Sequence, residues 1–317
     1  MPEPKLEAVN LTKRFGSFTA LSNLNLKIEG AKCVGFLGPN GAGKTTTLKI
    51  FTDLIRASEV KALINGVDVH TEKKKALDPC GTLIETPEIY PALTPREALS
   101  MIGEIRGIPK NQRSGRISEV LQEVKMEEWA DKKVGKFSKG MKQRINIAAA
   151  LLTEPEIVIL DEPTTGLDPR GQAEVRDIVR SLKRKNRLVF MSSHLLNEVA
   201  EVCDEVAMID HGKLLVYDKL ANVTAKFSQD SGGSVLEAEL MRDIDQQTIN
   251  DGISSLDGVV SVEMINPRSL RFKFSGGLDR QARLLAELAK MNIGLISFRP
   301  SSSSLEDSYL NLIKDTM

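Results

Sequence analysis

The stretch that most constrains this chain is residues 32–50, where a glycine-rich loop stands between a strand pattern and a helix pattern. Cys33-Val34-Gly35-Phe36-Leu37 is a short apolar run, the composition of a buried parallel strand. Gly38-Pro39-Asn40-Gly41-Ala42-Gly43-Lys44-Thr45 follows and fits G-x-x-x-x-G-K-[ST] at every fixed position. Leu48 and Phe51 are then spaced to face a core from one side of a helix. Strand, glycine loop and helix in this order make a phosphate cradle. Glycines let N–H groups turn inward around an anion, and the helix N-terminus adds partial positive charge. In such a cradle Lys44 reaches the β- and γ-phosphates and the Thr45 hydroxyl holds Mg²⁺.

A chain of 317 residues is too long for one ordinary domain. Lysines and arginines balance aspartates and glutamates at 43 each, so no global field draws in nucleic acid or an anionic membrane. Cys33, Cys80 and Cys203 are odd in number, far apart in sequence and without a CxxC pair, which argues against disulfides and zinc. The opening residues lack the apolar core of a signal peptide, and no window of 18 apolar residues exists to span a membrane.

Around the loop the chain reads as an α/β protein. Residues 6–11 and 24–28 read as strands, with Leu24, Leu26 and Ile28 alternating. Phe15, between them, is either an aromatic that stacks on a base or a plain packing residue. Residues 61–69 continue as strand, with a turn signal at Asn65-Gly66. A helical insertion occupies about residues 91–155. Thr94-Pro95-Arg96-Glu97 is a capping-box start; Leu99, Ile102 and Ile105 line one helix, and Ile117, Val120, Leu121 and Val124 a second. Ser138 caps a further helix with Ile145, Ala148, Ala149 and Leu152 as its stripe.

Ile157-Val158-Ile159-Leu160 is a buried-strand run, and Asp161 and Glu162 stand at its C-terminal end, where ligands bind in α/β sheets. Asp161 there supports Mg²⁺, and Glu162 takes a proton from an attacking water. Residues 188–191 form another apolar strand ending in Ser192-Ser193-His194, so one of three histidines sits at a strand end as a polar cap or a γ-phosphate contact. Residues 223–234 read as a linker. Beyond it, strands at 235–240, 259–265, 270–274 and 293–298 alternate with helices at 246–256 and 278–290. The order βαββαβ is that of an α+β ferredoxin-like domain over residues 235–317, closed by a last helix at 305–313.

Taken together, Phe15, GPNGAGKT at 38–45, Phe137-Ser138-Lys139-Gly140-Met141, the run from Ile157 to Glu162, Gly166-Leu167-Asp168 and His194 resemble the ATP-binding subunit of ABC transporters. The resemblance covers residues 6–220. It implies a P-loop NTPase (RecA-like) core with an antiparallel β subdomain and the helical insertion, over residues 1–222. It implies that Phe15 stacks the adenine of ATP and that Gly38, Pro39, Asn40, Gly41, Ala42, Gly43, Lys44, Thr45 and Thr46 hold its phosphates. Thr45, Asp161 and Glu85 fall on the Mg²⁺ side. Glu162 positions the water and His194 senses the γ-phosphate. Ser138 and Gly140 act on the ATP of a second subunit in a head-to-tail homodimer or heterodimer.

Two departures stand out. The signature reads FSKGM where the family has LSGGQ, so Met141 brings no amide. Glu85 stands where the family has Gln, and Glu85-Thr86-Pro87 resembles the variant in ATPases of drug- and antibiotic-resistance exporters. The implied function is ATP hydrolysis that powers an exporter. The pore is an integral-membrane permease on another chain, docked beside residues 85–93, with this chain on the cytoplasmic face of the membrane. The alternative is a soluble ABC ATPase acting on a macromolecular complex; a single ATPase unit and the lack of basic excess oppose it.

Overall fold

The computed structural model describes residues 3–85, 88–223 and 234–300. The chain divides into two compact units, Met1–Lys219 and Leu220–Met317. The connector residues Thr86 and Pro87, most of the expected linker (224–233) and the expected last helix (305–313) lie outside the described residues.

The first unit is built on two sheets. One has six strands: β3 (Cys33–Leu37), β6 (Cys80–Leu83), β7 (Ile157–Leu160), β8 (Leu188–Ser193), β9 (Glu205–Asp210) and β10 (Lys213–Lys219). Their spatial order is β10-β9-β3-β8-β7-β6, and every pairing is parallel except β10 on β9. Strands covered on both faces must be apolar throughout, and β3 and β7 are buried at every residue. The other sheet is antiparallel and runs β2-β1-β4-β5, from β1 (Lys5–Phe15), β2 (Phe18–Glu29), β4 (Glu59–Ile64) and β5 (Val67–Asp68). Its alternating Leu24, Leu26 and Ile28 share one core with Phe36, Phe51 and Phe190. Phe36 and Phe190 stack tilted at 5.3 Å between centroids, and Phe51 meets Phe190 edge-on at 6.2 Å.

The helices of this unit are α1 (Lys44–Phe51), α2 (Lys73–Leu77), α3 (Pro95–Ile105), α4 (Lys110–Glu123), α5 (Lys139–Leu151), α6 (Pro169–Arg184) and α7 (Leu196–Val202). The capping box at α3 forms in full: Thr94 accepts the Glu97 N–H, and the Glu97 carboxylate accepts the Thr94 N–H at 2.8 Å. Glu123 on α4 ties the insertion to the strand core through Lys185 at 2.5 Å and Arg187 at 3.1 Å.

Several expectations need correction. β1 and β2 run well beyond 6–11 and 24–28, because Lys13, Arg14 and Phe15 pair by backbone with residues 18–21 around Gly16, whose φ is +59°. Ile105 does not share the buried face of Leu99; it is 78% exposed at the last turn of α3. Apart from these corrections, Cys33 and Cys203 lie side by side as free thiols with their sulfurs at 3.4 Å.

The second unit holds β11 (Ser234–Leu240), α8 (Gln246–Asp251), β12 (Val259–Asn266), β13 (Ser269–Phe274), α9 (Leu278–Lys290) and β14 (Leu295–Pro300). Its sheet order is β12-β13-β11-β14, with all pairings antiparallel. Leu236, Ala238, Leu270, Phe272 and Phe274 form a core with Leu284 and Leu288 of α9. The first helix of this unit is shorter than 246–256: Gly252 ends it and a 3₁₀ turn follows at Ile253–Ser255. Among the described residues no helix is long and apolar enough to cross a membrane.

Candidate nucleotide site

The loop from Gly38 to Gly43 links the end of β3 to the first turn of α1. Gly43 has φ +106°, and a Cβ there would lie 2.6 Å from Leu21 Cδ2 and 2.8 Å from the Ala20 carbonyl, so only glycine fits. Gly41 is also left-handed, at φ +84°, but opens onto free space. Gly38 and Ala42 are buried, Pro39 and Thr46 partly so, and Asn40 is exposed at the tip. The result is a concave turn of backbone at a helix N-terminus.

Lys44 is 4% exposed and folds back over this turn. Its ammonium donates to the Gly38 carbonyl at 2.7 Å and the Pro39 carbonyl at 3.1 Å, and lies 3.4 Å from Glu162 Oε1. Thr45 Oγ1 donates to Asp161 Oδ1 at 3.2 Å. The end of β7 thus presents its two carboxylates to the first two residues of α1.

Glu162 has φ +42°, an unfavourable conformation for a residue with a side chain. It is held by Ser192, whose Oγ accepts the Glu162 N–H at 2.9 Å and donates to Asp161 Oδ1 at 2.6 Å. Glu162 Oε2 accepts the Thr165 hydroxyl at 2.9 Å and lies 3.2 Å from His194 Nδ1. Burial pushes the Glu162 carboxyl up, but the Thr165 hydroxyl, Lys44 and His194 outweigh it and hold the group below the ordinary glutamate range.

The structure therefore brings Lys44, Thr45, Asp161, Glu162 and His194 into one cluster at the C-terminal edge of the parallel sheet. Ser192 and Thr165 belong to it as well, and sequence reasoning assigned them no part. Their signal was two serines closing an apolar strand and a threonine three residues past a carboxylate. The Thr45 hydroxyl and Asp161 carboxylate are hard oxygen donors side by side. Mg²⁺ at phosphate sites takes one or two such protein ligands, so these residues fit it.

Other candidates stand elsewhere. Phe15 is 49% exposed at the β1–β2 hairpin, with the Lys13 ammonium 4.8 Å from its ring centre. Ser138 caps α5 by accepting the Met141 N–H at 3.2 Å. Gly140 packs so close to α6 that a Cβ would lie 3.3 Å from Gly171 Cα. Neither shares a hydrogen bond with the Lys44–Glu162 cluster among the described residues. Glu85 does not join Asp161 and Glu162 in a three-carboxylate group, and among the described residues no three His, Cys, Asp or Glu side chains are grouped to hold a metal. Its side chain is 69% exposed and turns to Lys49 of α1, at 2.5 Å.

Comparison with known proteins gives the cluster its context. The ABC transporter family profile matches residues 21–165. The bacitracin transport ATP-binding protein of Bacillus licheniformis is 36% identical over 97% of this chain and 97% of its own length. The linearmycin resistance ATP-binding protein of Bacillus subtilis is 31% identical over 98% of this chain and 99% of its own. Among solved structures, an ATP-binding subunit of an ABC transporter superposes with a TM-score of 0.63 at 27% identity, covering 70% of this chain and 93% of that one. With its P-loop fold and full-length relatives, the chain belongs to the ABC transporter ATP-binding proteins and is an ATP hydrolase.

Proposed function

We propose that this chain hydrolyses Mg-ATP to drive export through a membrane permease encoded as a separate chain. The observation that carries the reaction is the Glu162 carboxylate, held ionised beside Lys44 and His194 at the end of β7. On binding ATP, Lys44 exchanges the Gly38 and Pro39 carbonyls for β- and γ-phosphate oxygens. Loop N–H groups from Gly41 to Thr46 cradle the same phosphates, and Phe15 stacks on the adenine. Thr45 and Asp161 would hold Mg²⁺, which would neutralise phosphate charge.

Glu162 orients a water against the γ-phosphorus and takes its proton. The bond from that phosphorus to the bridging oxygen breaks, and its electron pair leaves with ADP. His194, beside Glu162, donates to a γ-phosphate oxygen. Ser138 and Gly140 close on the ATP of a second subunit, so two ATPs lie between two head-to-tail chains. Replacing Glu162 by Gln keeps the shape and removes the proton acceptor. ATP binding by calorimetry is expected to persist while turnover falls about 10²–10⁴-fold. Full turnover in this variant would remove Glu162 from the reaction.

The permease contact rests on the cavity of about 290 Å³ between the insertion and the strand core. Its lining includes Ile89, Tyr90, Leu93, Met101 and Ile102, of which Tyr90 is 69% and Met101 44% exposed. An apolar helix from the membrane partner suits such a site. The relatives named for bacitracin transport and linearmycin resistance support outward transport.

A further inference from the structure

One buried carboxylate near the site has no part in the chemistry above. Glu198 sits in the first turn of α7 and is 5% exposed. Its Oε2 accepts the Thr164 hydroxyl at 2.6 Å and the Ser193 hydroxyl at 3.0 Å. Its Oε1 is buried with no hydrogen-bond partner among the described residues. Burying a carboxylate with one bare oxygen costs desolvation that an apolar side chain of similar size would avoid. Stability alone does not account for this residue.

The positions of its two partners do. Thr164 stands two residues after Glu162, and the next residue, Thr165, donates to Glu162 Oε2 at 2.9 Å. Ser193 stands just before His194, and its oxygen also accepts the Leu195 N–H at 3.0 Å. The backbone on both sides of His194 is therefore fixed through one hydroxyl. A single carboxylate oxygen ties the loop that carries Glu162 to the loop that carries His194.

The anchor is itself immobile. Val199, the next residue on α7, fills the space over Gly35 of β3, where a Cβ would lie 2.5 Å from its Cγ1. That pins α7 to the strand leading into the phosphate loop. On the far side of Thr164, the Pro163 carbonyl accepts the buried Gln143 amide of α5 at 2.8 Å.

We propose that Glu198 is a positioning residue for ATP hydrolysis, setting the spacing of Glu162 and His194 by gripping the hydroxyls of Thr164 and Ser193. The proposal rests on the roles given to Glu162 and His194 above. Glu198 touches no part of the substrate. It decides whether the Glu162 oxygen and the His194 ring meet at 3.2 Å, as they do here.

The test is steady-state ATPase kinetics on Glu198→Ala, Thr164→Val and Ser193→Ala, on each hydroxyl variant combined with Glu198→Ala, and on Glu162→Gln alongside. Glu198→Ala is expected to lower kcat about 10- to 100-fold, the order that a misplacement of about 1 Å costs. KM for ATP should change by less than about threefold, because the phosphate loop is untouched. Each hydroxyl variant should lower kcat alone, yet add nothing in the Glu198→Ala background, since all three changes break one device. Glu198→Gln, whose amide oxygen still accepts both hydroxyls, should recover most of the rate. Full kcat in Glu198→Ala, or losses that add, would overturn the proposal. If Glu198→Ala does not fold, Thr164→Val and Ser193→Ala decide the matter, and unchanged kcat in both overturns it. Full turnover in Glu162→Gln would sink this proposal and the reading beneath it together. Lost turnover there with a normal Glu198→Ala would sink this one alone.

Discussion

At the residue scale, the proposed chemistry rests on an ionised Glu162. Its carboxyl is held below the ordinary glutamate range, so it stays a proton acceptor as pH falls toward that range. Activity that depends on the ionised form is therefore lost only as pH falls through this lowered value in the folded chain. Thr165→Val removes a hydroxyl that favours the ionised form. The acid limb of the pH–rate profile is therefore expected to move up in Thr165→Val. An unmoved limb would show that another group sets it. Glu85 gives the opposite expectation. Paired with Lys49 and mostly exposed, it contributes at most about 1 kcal/mol. ATPase rates of Glu85→Gln against Mg²⁺ and against pH should superimpose on those of the unaltered chain; a changed Mg²⁺ requirement would put Glu85 back in the metal shell. The phosphate loop, Asp161 and Glu162 were legible as residues because strand, loop and helix signals surround them locally. Ser192, Thr165 and Glu198 were not, because their roles depend on partners 3 to 34 residues away that only the fold brings near.

At the element scale, the helical insertion is fastened to the rest of the unit by polar contacts, among them Glu123 with Lys185 and Arg187. Burial pushes the Glu123 carboxyl up, but hydrogen bonds and charge from Lys185 and Arg187 outweigh this and leave it lowered. Its stabilising contribution is therefore present above the unfolded carboxylate range and lost as pH falls through its folded value. Glu123→Gln is expected to destabilise the chain by roughly 1–3 kcal/mol near neutral pH. Denaturant titrations at several pH values should show the gap from the unaltered chain closing in acid. A gap that is constant with pH would mean that packing, not charge, is the source. Thr94→Ala should cost about 1 kcal/mol by removing the cap on α3. Caps and buried strands could be read from sequence because four to eight adjacent residues decide them. The polar reach of β1 and β2 could not, because Lys13 and Arg14 join the sheet through backbone pairing rather than through an apolar pattern. Ile105 shows the converse, an apolar residue in register whose helix turn has nothing left to pack on.

At the scale of the whole molecule, every residue of the nucleotide cluster lies in the unit that ends at Lys219. A chain truncated before Gln229 is expected to bind ATP with unchanged affinity by calorimetry; lost affinity in a still-folded truncation would contradict that division. The order βαββαβ of the second unit was legible from its alternating segments, and its sheet order followed only from the fold. Its role was not legible, because its sequence offers no motif for catalysis or metal binding and a fold of this kind serves many functions. In the proposed function, ATP links two chains, each completing the other's site with Ser138 and Gly140. The most direct measurement is the sedimentation of Glu162→Gln with and without Mg-ATP. The expected result is a dimer at saturating ATP that falls apart to monomer with ADP and is abolished by adding Ser138→Arg. A Glu162→Gln chain that binds ATP and stays monomeric at saturation would contradict it.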